Sequence, residues 1–225
     1  MKKQILFLFF LINSVLAFGQ TELKKEPIDY YFTYNDYVNN IPNIPEKAYI
    51  TIKEENPNSI IYKEILSEST NKKIKKGYTI WGIKYKGQLF HNLLLTNYEI
   101  AKDHAFGKFS VTGKKFNVII LDTKKDKKAI GRNGNPYGGG IVASALYKPN
   151  NTEWKDKDGN SYKILVFNAE SPNMSPVHKE NALVMLLTSK DVANFNNNDP
   201  AIIEKLSKGE YYVEEFLEFA RKENE

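Results

Sequence analysis

Residues 78–95 read YTIWGIKYKGQLFHNLLL, and this stretch decides the fold. Thr79, Trp81, Ile83 and Tyr85 recur at every second position, which places them on one face of a β-strand. Lys86-Gly87 then offers a short turn, because glycine accepts the positive φ that tight hairpins require. QLFHNLLL returns as the second strand. A connection this short joins antiparallel strands only, since a parallel pair needs a crossover of a dozen residues or more.

The same pattern extends in both directions. Upstream, AYITIK (48–53) has strand composition. Downstream, FGKFSV (106–111), Thr112-Gly113 and KKFNVIIL (114–121) form another hairpin with a longer turn. Residues 48–121 therefore read as an antiparallel meander. NTEWKDKDGNSYKILVF (151–167) adds a further hairpin that turns at Asp158-Gly159. Ahead of the sheet, YYFTYNDYVNN (30–40) offers Thr33 as an N-cap with Asp36 three residues later, and this predicts a short helix over 34–39. The Asn/Pro cluster IPNIP at 41–45 ends it.

The last third changes period. Ser175-Pro176 supplies an N-cap followed by proline at the first helical position, and residues 177–187 continue as a helix apolar on several faces, hence buried. Asp199-Pro200 repeats the start signal, Ile202, Ile203 and Leu206 form a stripe, and Gly209 ends that helix. Val213, Phe216, Leu217 and Ala220 at i, i+3, i+4 and i+7 predict an amphipathic final helix. Its Glu214 and Glu215 lie early and Arg221 and Lys222 late, as the helix dipole favours. Strands first and helices last predict an α+β fold: mainly antiparallel sheet, a meander, in the N-terminal two-thirds, packed with C-terminal helices. No repeat or linker divides it, so residues 20–225 are expected to form a single domain.

Residues 1–19 read as a cleavable signal peptide. Lys2 and Lys3 give the positive start, residues 5–12 are all apolar, and Ala17-Phe18-Gly19 puts small residues at the −3 and −1 positions of a signal peptidase site. The apolar stretch to Phe18 is about 14 residues, short of the ~20 that span a bilayer. The expectation is export through the secretory pathway to the periplasm or outside the cell, with no transmembrane segment after cleavage. The chain has no cysteine, so Gln20 stands where a lipoprotein would carry its lipid-bearing Cys, and no disulfide framework is available.

The formal charge is +5, of which Lys2 and Lys3 carry two. Lys72, Lys73, Lys75 and Lys76 form one basic cluster and Lys124, Lys125, Lys127 and Lys128 another. Neither has the aromatic interleaving of a nucleic-acid platform, and both flank turn-like sequence, so they read as solvated loops and no nucleic-acid partner is expected.

Catalytic chemistry leaves little trace. The three histidines, His91, His104 and His178, lack a second ligand at metal spacing. His91 lies in strand-like sequence, and Asp103-His104 are adjacent residues that point apart in a strand. There is no thiol and no G-x-S-x-G elbow to seat a nucleophile. DKDGN (156–160) has Asp156, Asp158 and Asn160 where a calcium loop wants oxygens, but Ser161 and Phe167 stand at its glycine and glutamate positions, so a β-turn explains it. No cofactor is implied. The glycine-rich GRNGNPYGGG (131–140) matches neither a P-loop nor G-x-G-x-x-G. It reads as a flexible connection, or as a binding loop in which Arg132 and Tyr137 would capture an anionic or sugar-like ligand.

Four blocks, YYFTYNDYVNN (30–40), IWGIKYKG (80–87), GGGIVASAL (138–146) and YKILVFNAE (162–170), together resemble a family of uncharacterised secreted proteins of Bacteroidetes-type bacteria, a domain of unknown function. SPNMSP (171–176) departs from that pattern, where a shorter glycine-containing turn is expected. The resemblance implies export and supplies no reaction or site residue. The expected function is an exported, non-catalytic binding or envelope-associated module, with an envelope protein, a glycan or another anionic ligand as candidate partner. The alternative is a secreted hydrolase whose site is assembled from distant carboxylates or His104.

Overall fold

Three strands, β1 (Lys24–Tyr31), β2 (Ala48–Glu55) and β3 (Ser59–Ser67), form an antiparallel meander in the computed structural model, which describes residues 23–42, 47–74, 80–95, 104–130, 152–168 and 185–225. A hairpin of β4 (Gly82–Tyr85) and β5 (Gln88–Asn92) then docks beside β1, with Asp29 opposite Lys84 and Tyr31 opposite Gly82. The first half of β6 (Ala105–Val111) pairs with β3 through residues 59–61 and with β5 through residues 90–92. Strands β1–β6 therefore close into a six-stranded barrel.

The fold is α+β with antiparallel pairing, but a barrel replaces the expected meander. Turn signals specify that two neighbouring runs pair; they do not specify which third strand a hairpin docks against. Closure removes the unpaired edges that an open meander would present. β1 makes this possible by changing partners along its length: residues 24–28 pair with β2 and residues 29–31 with β4. Pro27, which has no N–H to donate, falls in the part paired on one side only.

β6 outruns the barrel. Phe109 and Val111 pair with β7 (Phe116–Asp122), and β9 (Ser161–Asn168) continues that sheet, with β8 (Trp154–Lys155) and β10 (Met185–Leu186) both against β9. Successive side chains on β7 and β9 point to opposite faces. Ile119, Leu121, Leu165 and Phe167 join Tyr31, Trp81, Leu93 and Phe109 in a layer against the barrel's outer wall. Phe116, Val118, Ile164 and Val166 face the helices. The barrel interior is filled by Ile28, Tyr30, Ile50, Ile60, Ile83, Phe90 and Phe106, among others.

Helix α1 (Tyr34–Val38) carries the anticipated cap: the Asp36 N–H donates to Thr33 Oγ1 at 3.1 Å and the Thr33 N–H donates to Asp36 Oδ2 at 2.9 Å. A short α2 (Lys127–Ile130) follows β7. α3 (Ser189–Phe195) uses the same reciprocal cap between Thr188 and Asp191, and sequence reasoning had not placed a helix there. α4 (Pro200–Lys208) starts at Asp199-Pro200 and ends at Gly209 with φ 71°, as expected. α5 (Val213–Glu223) buries Val213, Phe216 and Ala220.

Two expectations are corrected. Of the helix expected over 177–187, residues 177–184 lie outside the described residues. Its end is a strand: Met185 and Leu186 pair with Val166 and Leu165, and the Leu187 N–H donates to the Ile164 carbonyl at 2.8 Å. A short run apolar on all sides suits a strand covered on both faces as well as it suits a buried helix. The period-two face of 78–85 holds for Ile83 and Tyr85, inside the barrel, but Trp81 belongs to the outer layer. The alternation breaks at Gly82, where a Cβ would lie 2.6 Å from the Phe90 carbonyl oxygen. Thr79 lies outside the described residues.

Candidate functional site: a lysine-bearing cleft beside the barrel

The Lys86-Gly87 turn has φ of 49° and 74°, the two positive values of a tight hairpin turn. That turn carries Lys84, Gln88 and Leu89 to one wall of an open cleft of about 580 Å³. The end of β6 and the residues after it supply Lys108, Phe109, Ser110 and Thr112, while Asn58 comes from the β2–β3 turn. Tyr31 on β1, Tyr37 on α1 and Asn40 just beyond it complete the lining.

The capped α1 sets Tyr37 in place. Its ring stacks on Trp81 at 5.4 Å and 19°, meets the Tyr31 ring edge-on at 5.8 Å, and its hydroxyl hydrogen-bonds the Thr112 side chain. Trp81 in turn stacks on Phe109 at 5.9 Å. Burial pushes the Tyr37 phenol above its ordinary value. It does the same at Tyr31, with help from the negative charge of Asp29. Both hydroxyls stay protonated and able to donate.

No carboxylate lines the cleft, and Lys84 and Lys108 are the cations in its lining. Lys86 pairs with Glu55 at 2.8 Å and Lys24 with Glu26 at 2.9 Å. Lys84, exposed, and Lys108, half-buried, have no ion pair among the described residues. Asp29, opposite Lys84 in the ladder, lines a neighbouring groove of about 340 Å³ that shares Lys84 and Gly87 with the cleft. The basic run 124–128 is solvent-exposed at Lys124, Lys125, Lys127 and Lys128, and Lys128 pairs with Glu54. Lys75 and Lys76 lie outside the described residues.

None of the described ionisable groups sought by sequence lines the cleft. His91 is fully buried behind it, 5.0 Å from Trp81 and 6.1 Å from Phe109 between ring centroids. Its cross-strand neighbours on both sides are glycines, Gly82 and Gly107. Neither ring nitrogen has a hydrogen-bond partner among the described residues, and burial pushes the imidazole down to about 3. It is neutral at ordinary pH. His104 packs its ring 5.2 Å from Tyr62, away from the cleft lining. His178 lies outside the described residues.

The buried carboxylate of Asp126 accepts from Ser59 Oγ at 2.7 Å and from the Asp122 N–H at 2.9 Å, pinning β7 to the start of β3. Asp156, the first residue of the calcium-like run, is consumed by its own turn. The Asp158 and Asn160 N–H groups donate to Oδ1 at 3.0 and 2.8 Å, and Asn160 Nδ2 and the Tyr162 hydroxyl donate to Oδ2 at 2.8 and 3.0 Å. Among the described residues no group of three or more His, Asp or Glu side chains is arranged to hold a metal ion, and no helix is long and apolar enough to cross a membrane.

Arg132, Tyr137 and the rest of 131–140 lie outside the described residues, as does the signal segment 1–19. The cleft itself was missed by sequence reasoning. The available signal was Gly107 inside β6, which marks close approach of another layer; a Cβ there would lie 2.9 Å from both Ile119 Cγ2 and Leu93 Cδ2. Compared with protein-family models, curated proteins and solved structures, the chain matches none.

Proposed function

We propose that the chain is an exported, non-catalytic binding module and that the cleft beside the β4–β5 hairpin binds an anionic ligand. The observation that carries this reading is a cleft whose lining includes Lys84 and Lys108 and no carboxylate, together with amides, hydroxyls and the apolar Leu89 and Phe109. A concave site lined by one sign of charge concentrates counter-ions, and its neutral donors orient them. His91 is fully buried and does not line the cleft, so it is not placed to exchange a proton with a molecule bound there. Export rests on the signal-like residues 1–19 and on the resemblance to secreted proteins.

Two measurements test the proposal together. Protein recovered from its host should begin at Gln20, free or cyclised; an intact Met1 would contradict export. At constant ionic strength, sulfate and phosphate should raise the melting temperature of the wild type relative to chloride, and should lose that effect in the Lys84→Ala/Lys108→Ala double variant. Equal stabilisation of both proteins would place the anion elsewhere and end the proposal for this cleft.

A further inference from the structure

We infer that α1 is an acid-released gate: protonation of His91 drives Tyr34 and Tyr37 off Trp81 and opens the cleft inward to the imidazole. His91 is fully buried, and both its ring nitrogens lack a hydrogen-bond partner among the described residues. Gly82 faces it from β4, Trp81 from the residue before β4, and Gly107 and Phe109 from β6; none of these is charged. Behind the two rings the titratable groups are phenols, Tyr31 from β1 and Tyr34 and Tyr37 from α1, each pushed above its ordinary value by burial. β7 and β9 present Ile119, Leu121, Leu165 and Phe167 to the same layer. The charged residues next in register, Lys84 on β4 and Asp29 on β1, are exposed and stand opposite each other. A proton on this ring therefore meets no counter-charge within the layer and is tolerated only once water reaches it.

The cleft is the route for that water, because Tyr37 and Phe109 both line it and both stack on Trp81. The strand residues around His91 are tied down. The Trp81 N–H donates to the Tyr31 carbonyl at 2.8 Å, the Asn92 N–H donates to the Trp81 carbonyl at 2.9 Å, and Gly82, Gly107 and Phe109 belong to ladders. α1 has no ladder. It is five residues long and leaves Val38 56 % exposed. Besides its cap it is held by the Tyr37 ring, by Tyr34 against Trp81 and Phe167 at 5.5 and 4.6 Å, and by hydrogen bonds of the two hydroxyls to Asn117 and Thr112. Such an element can open locally while the ladders stay paired. Closed, His91 keeps a proton only below about 3; in water it does so near 6.5. Opening thus takes up a proton between those values, and is favoured about ten-fold for each pH unit below 6.5.

The test is hydrogen exchange of the Trp81 indole N–H in residues 20–225, read by NMR as protection relative to free tryptophan at the same pH. The buried backbone amides of the β7–β9 ladder serve as the reference for global unfolding. At pH 7.5 the indole should be at least about ten-fold less protected than those amides, the mark of a local opening. Between pH 7.5 and pH 4.5 its protection should fall about 100-fold in the wild type and stay level in His91→Leu. Should His91→Leu fail to fold, His91→Gln, which has no proton to gain, makes the same comparison. Asp36→Ala removes half of the reciprocal cap of α1 and should lower the indole's protection about five-fold at pH 7.5 without touching the ladder amides. Indole protection equal to that of the ladder would overturn the gate, because only global unfolding would then expose Trp81. Protection that does not fall with pH, or falls equally without His91, would overturn the role of the imidazole. No response to Asp36→Ala would show that the opening element is not α1.

Discussion

At position 91 an ionisable ring is walled in by two glycines and two aromatic rings, and the consequence is a built-in acid sensitivity. The folded His91 holds its proton only below about 3, whereas an unfolded histidine binds one near 6.5. Between those values the unfolded chain binds more protons, so stability is fully present above about pH 6.5 and is lost as pH falls towards 3. The loss amounts to at most about 1.4 kcal/mol per pH unit. His91→Leu removes that component. Urea melts from pH 7 to pH 4 should show a shallower decline for the variant; parallel declines would mean that position 91 does not set the acid limb. The sequence identifies His91 as a strand residue without a metal or catalytic partner. It does not reveal the enclosure, because Gly82 and Gly107 become its neighbours only through β4–β5 and β5–β6 pairing.

Among the elements, those governed by adjacent residues were legible and those governed by distant partners were not. Thr33 with Asp36, Asp199-Pro200 and Gly209 act within a few residues of themselves, and the helices they bound lie where expected. Residues 185–186 are strand because β9 offers a ladder, a fact held in another part of the chain. β1 lies upstream of any hairpin signal, with charges and Pro27 in its first half. The last helix shows how a legible element is anchored by an illegible contact. Asn224, just after α5, accepts from the Lys115 and Phe116 N–H groups at 3.0 and 2.8 Å and donates to the Phe116 carbonyl at 2.9 Å. Asn224→Ala leaves those backbone groups without a protein partner and should cost about 1–3 kcal/mol, read from the urea midpoint at unchanged slope. An unchanged midpoint would show that α5 is held by Val213, Phe216 and Ala220 alone.

For the molecule as a whole, the barrel and the cleft are one fact. The cleft exists because β4–β5 docks on β1 while β6 closes against β5, which brings Tyr31, Lys84, Leu89 and Phe109 to one surface beside α1. Composition and period reveal strands, faces and turns, but the docking of a hairpin depends on long-range pairing that no local pattern carries. That is why sequence reasoning looked for a site in the glycine-rich segment at Arg132 and Tyr137 and passed over Lys84 and Lys108. The most direct test is amide chemical-shift mapping of residues 20–225 titrated with sulfate at constant ionic strength. Shifts should concentrate in residues 37–40, 84–89 and 108–112. Binding that leaves those amides unmoved and shifts 131–140 instead would contradict the account.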